Sequence, residues 1–319
     1  MTRKHIFSTR TKIMNTGKYP IIEIKSEWAL DREAMGSKKK FWYREHNAAD
    51  LWLFKYPQEN KHTHELAGQH WAEKIAEQAA ALMETHHAVV ELAVFEGKRG
   101  SATKSFAHER RTLFHGNQLM AGSGAVPNYN VQATFGHSSH TLENIFKTFD
   151  VILVGDAFVR RSKLFFSEYL VLDALIANTD RHHENWGFVL KQTADGGWTA
   201  AIAPTFDHAS SLGRELQDER RDQIIREGRI AHYVNKGHGG IYWSTDEKKA
   251  PSPLELVKRA TLTYPDFFRP ALGKLLRFDE SALARIIERV PDAWMSDSTR
   301  RFAHALMCHN QQHLLRLLP

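Results

Sequence analysis

Apolar and polar residues alternate along the first third of the chain in a pattern that predicts strands. Residues 21–28, 40–46 and 50–57 are rich in β-branched and aromatic side chains, which favour extended structure. A further apolar stretch at 88–106 is interrupted by charged residues and glycine at 96–100, the composition of a hairpin turn. The first third of the chain therefore predicts a sheet.

One helical pattern interrupts these predicted strands. Residues 65–83 place Trp71, Ile75, Ala79 and Leu82 at the spacing of one helical face. Such a stripe is buried against another layer, and here the predicted sheet is the nearest one along the chain. We expect this helix to pack on the sheet.

Helical patterns dominate the remainder of the chain. Residues 163–178 are apolar on nearly every side, which predicts a buried helix. The C-terminal part holds at least three further helical patterns, including one that begins after Asp279 as N-cap and one at 299–318. We predict an α+β fold with a small β-rich lobe over residues 1–106 and a large, mainly α-helical lobe over 107–319.

The segment that follows the buried helix carries the candidate chemistry. It runs NTDRHHENWGF at 178–188, then a predicted hairpin, then PTFDHASSLG. Phosphoryl transfer needs a carboxylate that orients the attacking hydroxyl and oxygen ligands that hold Mg²⁺ on the phosphates. Asp180 and Asn185 have the spacing of a kinase catalytic loop, and the hairpin would bring Asp207 back beside Asn185. We predict Asp180 as the catalytic base, and Asn185 and Asp207 as metal ligands.

These two motifs resemble those of the HipA-like kinase family. The resemblance implies a bilobal, protein-kinase-like fold and the use of ATP and Mg²⁺ to phosphorylate a protein serine or threonine. It assigns the base to Asp180 and the metal ligands to Asn185 and Asp207, and it matches His182 to a histidine that orients the loop. It also implies a possible kind of partner, a helix-turn-helix antitoxin or repressor, as in toxin–antitoxin pairs.

Two other functions remain compatible with the motifs. The sequence DRHHEN is also similar to the loop of phosphatidylinositol kinases, so the acceptor can be a lipid or a small molecule. The chain can also be a nucleotide-binding regulatory module that works through a repressor partner. A full set of catalytic residues favours an enzyme over such a module.

The nucleotide side of a kinase needs a strand lysine that is held by a helical glutamate. Lys55 lies in the third predicted strand, on the same face as Leu53. We predict its partner to be Glu73, in the middle of the helix that follows, and the resemblance supports this choice. Glu65 and Glu77 lie on the same predicted helix and are the alternatives.

Two further segments are candidates for contacts with the nucleotide. Gly36, Ser37 and Lys38 lie between predicted strands, where a turn can cover the phosphates with its N–H groups. This turn replaces the serine- and glycine-containing phosphate loop of the family's toxins. Ser105 and Phe106 lie where the chain crosses between the lobes, and we expect their backbone to face the adenine.

Two segments after Asp207 are candidates for the rim of the site. Residues 214–230 are dense in both charge signs and predict a solvated helix, in the position of an activation segment that meets the substrate. Residues 233–243 contain Gly237, Gly239 and Gly240 and predict a flexible loop that borders the site.

Composition narrows the class of protein. The 319 residues include 43 basic and 37 acidic side chains, a net charge of +6 that suits an ATP site or an acidic partner without demanding nucleic acid. A single cysteine excludes a disulfide framework and a cysteine zinc site. The N-terminus carries no apolar signal segment, and no stretch approaches the length of a membrane helix. We expect a cytoplasmic protein that binds neither membranes nor nucleic acid directly.

Overall fold

The computed structural model describes residues 17–31, 40–46, 48–59, 66–133 and 136–319. Within these ranges six strands form one sheet, in the order β1-β5-β6-β4-β3-β2. β1 pairs with β5 in parallel, and every other pairing in this sheet is antiparallel. The strands are β1 (Ile21–Ile24), β2 (Ala29–Asp31), β3 (Lys40–Tyr43), β4 (Trp52–Lys55), β5 (Val90–Phe95) and β6 (Lys98–Lys104).

The first strand is shorter than predicted. β1 ends at Ile24, and a single 3₁₀ turn follows at Ser26–Trp28. Ile24 pairs with Phe95, the last residue of β5, so the chain beyond it has no ladder partner on that strand. The prediction of one strand over 21–28 was wrong because register, rather than local propensity, ends the strand.

The hairpin between β5 and β6 turns more tightly than predicted. Phe95 pairs with Lys98, so only Glu96 and Gly97 form the loop. Both have positive φ, 49° and 73°, the conformation that a two-residue hairpin turn requires. Lys98 and the residues after it already belong to the second strand.

Helix α1 (Gln69–Leu82) covers the sheet, as its apolar stripe predicted. Trp71, Ile75 and Ala79 are buried in the main core together with Leu92 of β5. The opposite face of the sheet has a smaller aromatic core, in which Phe41, Phe54 and Phe95 meet. α1 packs on β5 and β6, and Glu73 in its middle reaches Lys55 at the end of β4.

The rest of the chain is mainly helical, and α4 (Asp156–Ile176) runs through its centre. Its C-terminal half is buried, and it packs against α7, α8 and α10. The predicted N-cap at Asp279 is confirmed, because its side chain accepts a hydrogen bond from the Ala282 N–H. The other helices are α2 (Gly116–Gly122), α3 (Leu142–Ile152), α5 (Asp218–Arg226), α6 (Ile230–Lys236), α7 (Pro253–Thr263), α8 (Pro265–Gly273), α9 (Glu280–Glu288) and α10 (Asp297–Leu315).

A second sheet of three strands connects to this helical part. It consists of β7 (Arg111–His115), β8 (Gly187–Gln192) and β9 (Trp198–Ile202) in that order. The hairpin of β8 and β9 was predicted, whereas β7 lies in a segment whose pattern gave no prediction. The described part of the chain contains no helix that is long and apolar enough to cross a membrane.

The sequence predicted one helix over the charged segment at 214–230, and this prediction was wrong. α5 ends at Arg226, and Gly228 has a φ of 63°, a left-handed conformation that breaks the helix. A separate helix, α6, begins at Ile230. The elements otherwise give the predicted α+β architecture, while the lobe boundary at residue 106 stays a prediction.

Candidate active site

Three charged side chains from distant parts of the chain meet at one point. Lys55 ends β4, Glu73 lies in the middle of α1, and Asp207 follows β9. The Lys55 Nζ lies 3.5 Å from Glu73 Oε1 and 3.3 Å from Asp207 Oδ1. The predicted pairing of Lys55 with Glu73 is therefore present, and Asp207 joins it; the catalytic roles of these residues stay predictions.

Glu65 and Glu77 were the alternatives to Glu73 as the partner of Lys55. Glu77 lies one turn further along α1 and contacts Lys74 at 3.1 Å and His87 at 3.5 Å. The ion-pair partners of the Glu77 carboxylate are therefore Lys74 and His87 rather than Lys55. Glu65 lies outside the described residues.

The charge of Lys55 is stabilised by its neighbours. Burial alone would lower its pKa, because a low dielectric disfavours the charged form. The carboxylates of Asp207 and Glu73 more than offset this effect and raise the pKa above its ordinary value. Lys55 therefore carries a positive charge at neutral pH and can attract phosphate groups.

Arg181 joins three elements of the site. Its Nε and Nη2 donate to the two carboxylate oxygens of Asp173 on α4, at 2.7 and 2.8 Å. Nη2 also donates to Thr205 Oγ1 at 2.9 Å. Nη1 donates to the carbonyls of Asn185 at 2.6 Å and Phe206 at 3.3 Å. This buried bidentate pair holds the predicted catalytic loop and metal-binding loop against the central helix.

The start of the catalytic loop is fixed by the end of α4. Ala177 has a φ of 52° and ends the helix in a left-handed conformation. Asn178 then donates from Nδ2 to Asp173 Oδ1 at 2.8 Å and accepts from the Asp180 N–H at 3.2 Å. The position of Asp180 follows from this turn.

The side chain of Asn185 has a defined orientation. Its Nδ2 donates to the backbone carbonyl of Asp180 at 2.7 Å. A carbonyl only accepts hydrogen bonds, so the amide nitrogen must be the atom that faces it, and the amide oxygen remains available as a ligand. Asn185 and Asp207 line the same cleft as Lys55.

The donor set suits Mg²⁺ bound to phosphates. Among the described residues, no group of three or more histidine, cysteine, aspartate or glutamate side chains can hold a metal. Mg²⁺ usually takes one or two carboxylates from the protein and completes its shell with water and phosphate oxygens. An amide oxygen from Asn185 and a carboxylate from Asp207 fit that demand.

The carboxylate of Asp180 already accepts a hydrogen bond from a hydroxyl group. Ser210 Oγ donates to its Oδ2 at 3.2 Å, and Arg214 Nη2 lies 3.3 Å from the same hydroxyl. His182 Nε2 lies 3.8 Å from Asp180 Oδ1, while its Nδ1 accepts from the Glu184 N–H at 3.2 Å. This geometry suits a histidine that orients the loop.

Behind the catalytic loop, a buried histidine links it to the glycine-containing segment. Trp186 Nε1 donates to His140 Nε2 at 3.0 Å, and His140 Nδ1 lies 2.7 Å from the carbonyl of Gly240. Burial lowers the pKa of His140 to about 3. A Cβ on Gly240 would lie 2.7 Å from the carbonyl oxygen of Arg181, so close backbone approach, rather than a turn, requires glycine here.

Two clefts meet at the catalytic loop. The first, of about 770 Å³, is lined by Lys55, Asn185 and Asp207, and we call it the nucleotide cleft. The second, of about 1290 Å³, is lined by Asp180 and Ser210, and we call it the acceptor cleft. His182 and Glu184 line both. The predicted base therefore faces a different cleft from the predicted metal ligands.

Two segments were predicted to contact the nucleotide, and the structure describes one of them. Ser105 and Phe106 line the nucleotide cleft, and the ring of Phe106 packs against Phe206. The Ser105 N–H donates to the Leu51 carbonyl at 2.8 Å, so this amide is not available to a ligand, and the contact with adenine stays a prediction. Gly36, Ser37 and Lys38 lie outside the described residues.

Sequence reasoning missed the residues that hold the site together. Arg181 lies between two predicted site residues, and Asp173 is an acidic residue in a helix that is apolar on nearly every side. An unpaired buried charge is costly, so Asp173 in a helix predicted to be buried was a signal for a cationic partner. Ser210 had no comparable signal.

Comparison with known proteins places the chain in a family. Residues 32–294 match the HipA-like C-terminal domain, and the chain belongs to this family. A curated relative is the serine/threonine-protein kinase CtkA of Helicobacter pylori, which is 26% identical over 162 residues. That match covers 48% of this chain and 45% of the relative's length. The resemblance expected from the two motifs is confirmed.

Solved structures share the fold. The crystal structure of the Helicobacter pylori proinflammatory kinase CtkA matches with a TM-score of 0.73 and 19% identity, covering 93% of this chain and 96% of that one. HipA of Shewanella oneidensis MR-1, solved with HipB and operator DNA, matches with a TM-score of 0.53 and 12% identity, covering 92% and 65%. The predicted α+β, bilobal, kinase-like fold is confirmed.

Proposed function

We propose that this member of the HipA-like C-terminal domain family is a kinase that transfers the γ-phosphate of ATP to a protein serine or threonine. One observation carries the proposal. Lys55, Asn185 and Asp207 line one cleft, while Asp180 lines the adjoining one. Phosphoryl transfer depends mainly on positioning and charge, and this arrangement separates phosphate binding from acceptor binding.

On the nucleotide side, each residue has a distinct task. Lys55 binds phosphate oxygens, and Glu73 holds the lysine at the end of β4. Asn185 and Asp207 would hold Mg²⁺, which supplies the positive charge that neutralises the phosphates. Arg181 contributes indirectly, because it fixes the backbone carbonyls that flank both of these ligands.

On the acceptor side, Asp180 orients the hydroxyl that is to be phosphorylated. Its Oδ2 already accepts from a hydroxyl group, that of Ser210, at 3.2 Å. An incoming serine or threonine can donate to the same carboxylate. His182, close to the other oxygen, keeps the carboxylate directed at the acceptor cleft.

Catalysis explains the site better than nucleotide binding alone. A regulatory module that only binds nucleotide has no need of an aspartate outside the nucleotide cleft. A partner of the helix-turn-helix repressor class belongs to that alternative, and its support is the fold likeness to HipA. A protein acceptor is favoured over a lipid because the curated relative is named as a serine/threonine-protein kinase.

The direct test is transfer of labelled γ-phosphate. Purified protein is incubated with Mg²⁺ and γ-labelled ATP, alone, with cell lysate and with phosphatidylinositol vesicles. We expect label on protein, and we expect Asp180→Asn to reduce the rate by about 10²- to 10⁴-fold, the usual contribution of a general base. ATP binding by the variant, measured by calorimetry, should remain close to that of the wild type.

Three results would contradict the proposal. Label on lipid alone would make the chain a lipid kinase. ATP binding without label on any acceptor would favour the regulatory module. An Asp180→Asn variant that kept more than about a tenth of the wild-type rate would show that Asp180 is not the base.

A further inference from the structure

Basic side chains dominate the wall of the acceptor cleft. The described residues that line it include six arginines and lysines but only three carboxylates, those of Asp180, Glu184 and Glu215. Over the whole chain the two signs nearly balance, 43 against 37, so the excess is local. The six are Arg214, Arg220, Arg229, Lys236, Lys248 and Lys249.

Little of this positive charge is neutralised by the protein itself. Among the described residues Glu215 has no cation at ion-pair distance and accepts from the hydroxyl of Tyr233 at 2.7 Å, whereas Arg229 pairs with Glu227 at 2.9 Å. Lys248 and Lys249 are exposed. Within the described residues neither lysine has a carboxylate at ion-pair distance. A concave surface of one sign concentrates its field and attracts groups of the opposite sign.

The basic surface continues away from the catalytic loop. The acceptor cleft shares His238, Lys249 and Ala250 with a second groove of about 640 Å³. That groove is lined by Lys258, Arg259 and Arg316 and by one carboxylate, that of Glu255, which lies 3.8 Å from Lys258 and 2.8 Å from Arg259. Together the cleft of about 1290 Å³ and the adjoining groove of about 640 Å³, which we call the track, offer more surface than a compact head group fills, which suits an extended chain.

The composition of the track argues against the other large anions. Large exposed apolar side chains, which insert into a bilayer, are absent from its described lining. Its two tyrosine rings offer little surface for stacking on bases, because Tyr233 packs edge-to-face with Phe302 and Tyr242 is buried. Base stacking is a main source of affinity for single-stranded nucleic acid.

We propose that the acceptor cleft and the adjoining groove bind an acidic, extended protein segment, and that this segment presents the hydroxyl to Asp180. The inference rests on the proposed kinase function and specifies its substrate class. Lys248 and Lys249 contact the carboxylates of the segment. Affinity then depends on charge and falls as salt is raised.

Binding can be measured without catalysis. Fluorescent peptides with one central serine, flanked by glutamates, glutamines or lysines, are titrated against the full chain by anisotropy. We expect the glutamate peptide to bind at least about tenfold more tightly than the glutamine peptide, and less tightly at high salt. The double variant Lys248→Glu/Lys249→Glu should lose this preference.

A matched control has the same change in net charge. Lys98 and Lys191 are exposed on the two sheets and line neither groove, so Lys98→Glu/Lys191→Glu should bind the glutamate peptide as the wild type does. Equal affinities for the glutamate and glutamine peptides would overturn the inference. So would equal losses in the two double variants.

Two further probes separate this inference from its rivals. A single-stranded oligonucleotide or a phosphoinositide vesicle that bound more tightly than the glutamate peptide, through Lys248 and Lys249, would overturn it. Labelled ATP separates it from the proposed function. Charge-dependent peptide binding with no label on any acceptor would refute the kinase and leave the acidic-segment site standing, whereas efficient labelling of the lysine peptide would refute the site and leave the kinase.

Discussion

Two charged clusters lie side by side in the site. They differ in the exposure of their side chains and in the length of the contacts between them. The closed cluster is Arg181 with Asp173, whose side chains are each 3% exposed and joined at 2.7 Å. The open cluster is Lys55 with Glu73 and Asp207, in which Lys55 and Asp207 are 16% and 23% exposed and the contacts are 3.3 to 3.5 Å long.

The difference separates support from ligand binding. The guanidinium of Arg181 makes five hydrogen bonds to protein groups, so no donor is left for a substrate. The contacts of Lys55 are longer than a good charge-assisted hydrogen bond, and its ammonium lies in a cleft. We infer that the closed cluster stabilises the fold of the site and the open cluster serves the nucleotide.

The largest expected difference is in stability. Arg181→Met leaves the Asp173 carboxylate buried without its partner, and we expect the free energy of unfolding to fall by about 3–5 kcal/mol. Asp207→Asn keeps the shape of the open cluster and leaves Lys55 paired with Glu73, so its cost should stay within about 1 kcal/mol. Urea unfolding of both variants measures this, and equal losses would erase the distinction between the clusters.

The next effect concerns ligand binding to the open cluster. Mg·ATP at about 100 times its Kd should stabilise the wild type by roughly 2.7 kcal/mol, a shift of a few degrees in Tm. Asp207→Ala should lose the Mg²⁺-dependent part of this shift and keep any part from adenine burial, while Asp180→Asn should keep most of it. If Asp207→Ala showed the same shifts in Tm as the wild type, both with Mg·ATP and with ATP in EDTA, Asp207 would not be part of the site.

The third prediction concerns His140, a neutral side chain that is as deeply buried as Arg181 and Asp173. His140 is buried, its pKa is lowered to about 3, and it stays neutral in the fold as pH falls. The unfolded chain binds a proton near the usual pKa of about 6.5, so acid favours unfolding. The contribution of His140 to the free energy of unfolding is therefore full above about pH 6.5. It is lost progressively as the pH falls toward the folded pKa of about 3.

Between pH 6 and pH 5, His140 should lower the free energy of unfolding by about 1 kcal/mol. His140→Gln keeps an acceptor for Trp186 and removes the titrating group, so its unfolding curve should be flatter with pH by that amount. His309→Gln, on the partly exposed surface of α10, is a control with a smaller expected change. Identical pH slopes for the wild type and His140→Gln would contradict the assignment.

The smallest effect lies within the open cluster. Glu73 acts through Lys55, so Glu73→Gln should add little to the loss of turnover caused by Lys55→Met, with a coupling energy of about 1 kcal/mol. Glu77 contacts Lys74 instead, and Glu77→Gln should therefore combine additively with Lys55→Met. A cycle in which Glu77, rather than Glu73, is coupled to Lys55 would reassign the ion pair.

The sequence predicted the elements that depend on near neighbours. The hairpin of β8 and β9 and the cap at Asp279 follow from local composition. The spacing of Asp180 and Asn185 predicts a catalytic loop from local sequence alone, because only a few residues separate them. Strand β7, which pairs with β8 far along the chain, gave no local signal.

The sequence alone determined the class of chemistry that we propose, because Asp180, Asn185 and Asp207, the residues predicted to carry it, lie in motifs of fixed spacing. Only the tertiary structure decided which glutamate holds Lys55 and what Arg181 does. It also brought Arg214, Lys236 and the lysines at 248–249 together in the lining of the acceptor cleft. Local preferences fix helices and turns, whereas these contacts join segments that are distant along the chain and form only when the elements pack.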